Sequence, residues 1–250
     1  MKSRGWVFLL TGVCFAVSQT ASAASEAFLR VAAVSAPPHV TMSEVNPPEG
    51  ALADFMMKYI LPTVAEKFKL TVVWKGAPLK REFRDLEVGD LDMLFMVVKT
   101  PEREQKYHFS TEPLITEQPG MIVSKSQFKG RSAISVKELS GKTVGQMAGS
   151  LVPDFFKQNN INFITLTGQD VGVRLSTLVE NKRIDGVFIH LVSVTDGVIA
   201  ANKLEKLKSV ALEDAPAFST YVAYNKKLSP EIRAEIDRLI ALHRKHYKIK

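Results

Sequence analysis

One segment of the chain combines residue types that could bind a small anion. Lys99-Thr100-Pro101-Glu102-Arg103 follows an apolar run that ends at Val98, and it brings a hydroxyl, a predicted helix start and a guanidinium within one turn. Backbone N–H groups at a helix start carry partial positive charge, and an arginine can donate two parallel hydrogen bonds to a carboxylate or phosphate. A capped helix with a surface arginine explains the spacing at least as well.

A second segment has similar chemistry. Ala148-Gly149-Ser150 follows a predicted strand that ends at Met147, and it predicts a turn of small residues into a helix that opens at Ser150. Such a turn could receive an anion by the same physics, or it could be an ordinary helix N-cap.

The elements that must position these segments alternate between strands and helices. Short aliphatic or β-branched runs predict strands at 28–34, 70–74, 91–98, 142–147, 163–166, 184–189 and 207–212. Helical periodicity predicts helices at 50–67 with a kink or break at Pro62, at 78–89, from Ser150, at 170–181 and from Pro230 onward. This alternation is typical of an α/β protein with mostly parallel sheets.

Two strand-like runs, 119–125 and 217–224, break the alternation. They are placed where the chain would pass between two α/β lobes, and the final helix would then pack back on the first lobe. Open α/β sheets bind ligands beyond the carboxyl ends of their strands, so a cleft between two lobes is the expected site.

The N-terminus has the layout of a secretory signal. Lys2 and Arg4 precede an uncharged apolar run at 6–17, and Ala21-Ser22-Ala23 supplies small residues for cleavage before Ala24. The run is shorter than the roughly 20 residues that span a bilayer. We therefore expect residues 1–23 to be removed and the mature protein to reside in the periplasm. Cys14, the only cysteine, would leave with the signal, so no disulfide or thiolate site is expected.

Composition and motifs narrow the class of protein. With 250 residues, 46% of them hydrophobic, the chain can bury a core of its own, and its net charge of +7 includes no block of five like charges. We therefore expect no nucleic-acid partner. The motifs H-E-x-x-H, G-x-S-x-G and G-x-x-x-x-G-K are absent from the sequence, and His243 and His246 are flanked by basic residues. No catalytic residue, metal or cofactor is expected.

An ordered set of segments resembles the bacterial extracellular solute-binding proteins of family 3. The set covers nearly all of the mature chain. It consists of Leu29-Arg30-Val31-Ala32-Ala33 with Ala36-Pro37-Pro38, then Pro78-Leu79-Lys80-Arg81 with Leu86, Gly89 and Asp92, then Thr100-Pro101-Glu102-Arg103 with Phe109-Ser110 and Pro113, then Leu139-Ser140-Gly141-Lys142-Thr143-Val144-Gly145 with Gly149-Ser150, and then Arg183-Ile184-Asp185-Gly186.

The resemblance implies a periplasmic binding protein type 2 fold of the polar amino acid transporter type. Lobe 1 would comprise 24–115 and 220–250, lobe 2 would comprise 116–219, and two crossing strands would join them. The protein would be a monomer that closes on a small solute and delivers it to an ABC transporter permease in the inner membrane. Arg103 would clamp the ligand carboxylate, Thr100, Gly149 and Ser150 would help hold it, and Asp185 would be structural.

Two departures from the family pattern bear on the ligand. His190 stands near the position where amino-acid binders hold the ligand ammonium with a carboxylate, and Met96 and Val98 replace hydroxyl residues. The covering aromatic has no clear counterpart, and His39 is the nearest candidate. A cleft with Arg103, Ser150 and two histidines suits an anionic or neutral polar ligand better than a zwitterion.

If an anion contacts His190, binding should strengthen as pH falls from about 7.5 to 6. A packed core or rim histidine remains an equal reading of His190. Two alternative functions stay open at this point, namely a dehydratase-like enzyme that uses Arg103 and His190, and a sensory or accessory binding protein that is not coupled to transport.

Overall fold

A computed structural model of the chain describes residues 27–42, 47–168 and 170–248. The predicted signal peptide, its cleavage site and Cys14 lie outside the described residues. None of the helices in the described part of the chain is long and apolar enough to cross a membrane.

Twelve strands within these residues form two six-stranded sheets. In chain order they are β1 (Ala27–Ala33), β2 (Leu70–Trp74), β3 (Met93–Val98), β4 (His108–Phe109), β5 (Ile115–Glu117), β6 (Gly120–Ser124), β7 (Ala133–Ile134), β8 (Thr143–Met147), β9 (Asn162–Leu166), β10 (Gly186–Ile189), β11 (Leu207–Leu212) and β12 (Phe218–Tyr224). The first sheet has the order β2-β1-β3-β12-β4, with β5 also paired to β12. The second has the order β7-β11-β6-β10-β8-β9.

Helices cover the sheets. They are α1 (Ala51–Phe55), a π-helical turn (Met56–Ile60), α2 (Leu61–Phe68), α3 (Leu79–Val88), α4 (Pro101–Lys106), α5 (Asp154–Gln158), α6 (Val171–Glu180), α7 (Val192–Ala201) and α8 (Pro230–His243). Short 3-10 turns lie at Val136–Leu139 and Arg244–His246. Pro62 falls in the first turn of α2, directly after the π-helical turn, so the irregularity predicted at Pro62 is a change of helix type within a helical segment that is continuous from Ala51 to Phe68.

The chain passes between the two sheets along a pair of antiparallel strands. Ile115 of β5 lies opposite Thr220 of β12, and Glu117 lies opposite Phe218. We call the part built from β1–β5, α1–α4, β12 and α8 lobe 1, and the part built from β6–β11 and α5–α7 lobe 2. The two-lobed α/β fold is confirmed, while the division at exactly 115 and 219 stays a prediction because the two connecting strands pair with each other.

Strand β3 forms the centre of lobe 1. Its residues from Met93 to Val97 are buried, as expected for a continuous apolar run between two layers of helices. Asp92, the charged residue just before the strand, accepts hydrogen bonds from the backbone N–H of Arg30 at 2.7 Å and from its guanidinium at 2.7 and 2.8 Å. This pairing explains how a carboxylate is accommodated at the edge of the core.

Two expectations about helices are wrong. No helix opens at Ser150, because Gly149 adopts φ +93° and Pro153 disfavours helical backbone at the residue before it; α5 begins only at Asp154. Helix α7 was not predicted, because its β-branched residues and Gly197 give a weak helical signal. Its burial against strands β6, β10 and β11 stabilises the helix instead.

Candidate functional site

A cavity of about 760 Å³ lies between the two lobes. Loops and strand ends of both sheets line it, which is where an α/β fold places ligands. Most of the lining side chains are apolar. Representative members are Phe83, Met96 and Val98 of lobe 1 and Met147, Leu175 and Val194 of lobe 2. The ionisable residues of the lining are Glu82, Arg103, Asp170 and His190.

Arg103 lies in this cavity and links the two lobes. Its guanidinium donates to the carbonyl oxygen of Val98 at 2.6 Å and, across the cleft, to the carbonyl oxygen of Gly149 at 2.9 Å. The guanidinium carbon also stacks over the ring of Phe83, 4.4 Å from its centroid. Burial lowers the pKa of Arg103 from its usual value. A guanidinium has five N–H groups, so three remain for a ligand.

Two of the three residues expected to assist Arg103, Thr100 and Gly149, contact Arg103 itself and do not line the cavity. The hydroxyl of Thr100 caps α4 by accepting the N–H of Arg103 at 3.2 Å, and Thr100 is not part of the cavity lining. Gly149 contributes its carbonyl to Arg103, and its positive φ turns the chain after β8. A Cβ at Gly149 would lie 3.0 Å from the side chain of Lys80. Both residues therefore position Arg103 in the described structure.

Ser150 lines the cavity on the lobe 2 side. Its hydroxyl makes no hydrogen bond to the described residues, while its N–H donates to Met147. It is therefore placed to contact a ligand, but as a turn residue and not as the helix N-cap that the sequence suggested.

His190 lies in the cavity wall, enclosed by the edges of two aromatic rings. Phe188 and Phe218 lie 5.0 and 4.8 Å away between ring centroids. Its Nε2 donates to the carbonyl of Leu151 at 3.0 Å, so in the neutral ring Nδ1 is the acceptor. Burial lowers the pKa of His190 to about 4. With its pKa lowered in this way, His190 is a neutral polar group near pH 7, which argues against the expected strengthening of binding between pH 7.5 and 6.

His39 does not lie in the cavity. It is fully buried, with Nε2 2.6 Å from the hydroxyl of Ser193 and Nδ1 2.5 Å from the hydroxyl of Tyr247. Burial also lowers its pKa. Both ring nitrogens are occupied, so the expectation that His39 covers a ligand is corrected: it joins a loop of lobe 1 to α7 of lobe 2.

Sequence reasoning missed Glu82. This residue lies on α3 and lines the cavity, yet it is only 4% exposed. Its position between the apolar Leu79 and Leu86 on one face of a predicted helix was the signal that could have found it, because a carboxyl on a buried face needs a particular reason.

The lobes also touch through backbone. A Cβ built on Gly197 of α7 would lie 2.1 Å from the carbonyl oxygen of Pro37 in lobe 1. Only glycine permits this approach, so together with the His39–Ser193 and Arg103–Gly149 bonds it defines a conformation in which the lobes are closed against each other.

The family model of the bacterial extracellular solute-binding proteins, family 3, matches residues 29–250. The chain belongs to this family. Its resemblance to the family, first indicated by the spaced motifs, is thereby confirmed.

Solved structures share the fold of this family 3 protein at low sequence identity. An ancestral arginine-binding protein bound to glutamine is 21% identical, with a TM-score of 0.70 over 88% of this chain and 93% of that one. The amino acid ABC transporter substrate-binding protein AbpA from Streptococcus pneumoniae, bound to L-arginine, is 23% identical, with a TM-score of 0.69 over 87% and 89%. The arginine-, lysine-, histidine-binding protein ArtJ from Geobacillus stearothermophilus is 18% identical, with a TM-score of 0.69 over 87% and 90%. No curated protein sequence matches the chain.

Proposed function

We propose that this family 3 protein captures a small solute that carries a carboxylate, closes its two lobes on it, and delivers it to an ABC transporter permease. The observation that carries the proposal is Arg103, a partly buried cation in the interlobe cavity. Within the described residues it forms no ion pair. A guanidinium in such surroundings favours an anionic partner, and the planar carboxylate matches its remaining donors.

The rest of the cavity supports a ligand with an apolar body. The lining is dominated by methionine, leucine, valine and phenylalanine, and Met96 and Val98 occupy the strand end next to Arg103. Ser150 supplies a hydroxyl and His190 a neutral imidazole. These groups can orient a ligand, but they add no charge to the site near neutral pH.

Periplasmic placement and permease coupling belong to the same proposal. They are supported by the signal-like N-terminus, by the family, and by structural neighbours whose names describe amino acid transporter binding proteins. Arginine and glutamine, named for those neighbours, are therefore test ligands here and are not assigned to this chain.

We propose binding without turnover. The dehydratase-like alternative would use His190 as a proton-transfer group, and the Nε2 of this histidine is already bonded to Leu151. Mass spectrometry of each binding compound after prolonged incubation with the protein should show it unchanged. Conversion by the wild type that is lost in His190→Gln would support the enzyme instead.

A thermal-shift screen tests the carboxylate. Amino acids, organic acids and phosphates are compared at equal concentration, with arginine and glutamine included. A ligand at about 100 times its dissociation constant stabilises the folded protein by roughly 2.7 kcal/mol, which corresponds to a rise in Tm of about 5 to 10 °C for a chain of this size. We expect the shift from compounds that carry a carboxylate, and none from the phosphates.

Matched variants tie the shift to Arg103. Arg103→Met keeps the length that packs over Phe83 but removes the charge, and it should abolish the shift. Arg81→Met removes an exposed arginine of α3 outside the lining and should preserve the shift. Carboxylate binding that is equal in both variants would refute the proposed role of Arg103. A phosphate-only response would refute the proposed ligand class.

A further inference from the structure

Glu82 is a carboxyl inside the proposed ligand cavity. Glu82 is 4% exposed, and its neighbours in the cavity wall are the apolar Leu79 and Phe83. In the part of the chain that the structure describes, Glu82 takes part in no ion pair. The family resemblance, the clamp arginine and the packing of α3 give no role to a carboxyl at this position, so its presence calls for a chemical explanation.

The charged groups around Glu82 do not compensate a negative charge on it. Asp85 on the same helix repels it, and Arg81 is engaged with Asp85 at 3.5 Å. In the same lining, the guanidinium of Arg103 is bonded to the carbonyls of Val98 and Gly149 and forms no ion pair with Glu82 in the described part of the chain, while His190 is neutral and Asp170 adds no positive charge. Burial raises the pKa of Glu82 to about 8, although the N–H of Ala77 bonds to the carboxyl and opposes the rise. A carboxyl enclosed by apolar side chains and without an ion pair in the described residues favours its protonated form, which can both donate and accept a hydrogen bond.

We propose that Glu82 determines ligand specificity by hydrogen-bonding to an uncharged polar group of the ligand. This inference rests on the proposed function, in which Arg103 holds the ligand carboxylate. The ligand class is then a monocarboxylate with an apolar chain and a neutral hydroxyl, carbonyl or ether. A cationic group next to Glu82 is disfavoured, because a protonated carboxyl does not compensate its charge and an ammonium would lose its hydration among apolar side chains there.

Three probes of equal size test this specificity. 6-Hydroxyhexanoate, 6-aminohexanoate and heptanoate have the same number of heavy atoms and differ only in a terminal hydroxyl, ammonium or methyl group. Their affinities are measured by titration calorimetry at pH 6.5 for the wild type, Glu82→Gln and Glu82→Leu. The Tm of each unliganded variant confirms that it is folded.

We expect the wild type to bind 6-hydroxyhexanoate about tenfold more tightly than either other probe, which is the scale of one neutral hydrogen bond. Glu82→Gln should keep this preference, because an amide also donates and accepts. Glu82→Leu should lose it and favour heptanoate. Arg103→Met should weaken all three probes together.

Three results would overturn the inference. A wild-type preference for 6-aminohexanoate that disappears in Glu82→Gln would make Glu82 a cation-binding carboxylate. Probe affinities that are unchanged in both Glu82 variants would show that Glu82 does not contact the ligand. Absence of binding by all three probes would exclude the proposed ligand class. The first two results leave the proposed function intact if Arg103→Met still abolishes binding, whereas probes that bind without regard to Arg103 would refute the proposed function itself.

Discussion

Gly197→Ala should separate ligand binding from folding. The Cβ of this alanine would lie 2.1 Å from the carbonyl oxygen, 2.3 Å from the carbonyl carbon of Pro37 and 2.6 Å from the nitrogen of Pro38. Ordinary contacts of a Cβ begin at 3.4 Å. The obstructing atoms are backbone, so α7 must retreat from the loop by about 1.3 Å, and the lobes cannot close as they do in the wild type.

The size of the effect follows from the cost of overpacking. Forcing a methyl group into a well-packed contact costs about 1–3 kcal/mol, which corresponds to about a 5- to 150-fold loss of affinity when closure is required for binding. In the open protein the same substitution places alanine in a helix, where it is favoured over glycine by up to about 1 kcal/mol. The unliganded Tm should therefore stay the same or rise.

The assay combines affinity with shape. Titration calorimetry with the best compound of the screen measures the loss of affinity, and small-angle X-ray scattering with and without that compound measures closure. Asp196→Ala is the control, because Asp196 is an exposed residue of the same helix and does not line the cavity. Wild-type affinity and compaction in Gly197→Ala would refute the closed contact between α7 and the Pro37 loop. A fall in unliganded Tm would show that the contact supports folding instead.

Three further predictions concern single side chains. Ser193→Ala leaves the buried Nε2 of His39 without its partner in the closed conformation, so chemical denaturation in the presence of the best compound of the screen should show a loss of about 1–3 kcal/mol; an unchanged midpoint would contradict the bond. Glu82→Gln removes a carboxyl whose folded pKa is raised from 4.5 to about 8. Wild-type stability should therefore fall as pH rises through this range, and calorimetric scans should show a smaller fall in the variant. His190→Gln removes a group whose folded pKa is lowered from 6.5 to about 4, so the stability that the wild type loses as pH falls through that window should be retained; parallel pH profiles would argue against the burial of His190.

Many strands of this protein were predictable, because short runs of aliphatic and β-branched residues mark them in the sequence. The predicted runs 70–74 and 207–212 coincide with β2 and β11, and the apolar run before Arg103 coincides with β3 apart from its first two residues. Of the two runs expected to cross between the lobes, 217–224 coincides with β12, which pairs with β5 as the chain returns to lobe 1. The expectation for 119–125 is wrong, because this run is β6, an interior strand of the lobe 2 sheet, and the first crossing strand is β5.

The site was less predictable, because the sequence gives residue types and not their partners. Arg103 could be found from its motif, but its bond to Gly149 depends on how two lobes meet. His39 and His190 looked alike as polar residues near apolar runs, yet one joins the lobes and the other lies in the cavity wall. The wrong prediction of a helix from Ser150 was avoidable, because Pro153 in the sequence already indicates the later start of α5.

Under the proposed function, Arg103 couples ligand binding to closure through one side chain. Its guanidinium bonds to Val98 of its own lobe and to Gly149 of the opposite lobe, while three N–H groups remain to meet a ligand. A bound carboxylate would neutralise a charge that burial disfavours, as the lowered pKa of Arg103 indicates. Because Gly149 reaches the guanidinium only when the lobes meet, stabilising the charged arginine also stabilises the closed conformation. Arg103→Lys should therefore weaken binding and closure together, since a single ammonium cannot hold Val98, Gly149 and a carboxylate in the planar geometry of the guanidinium.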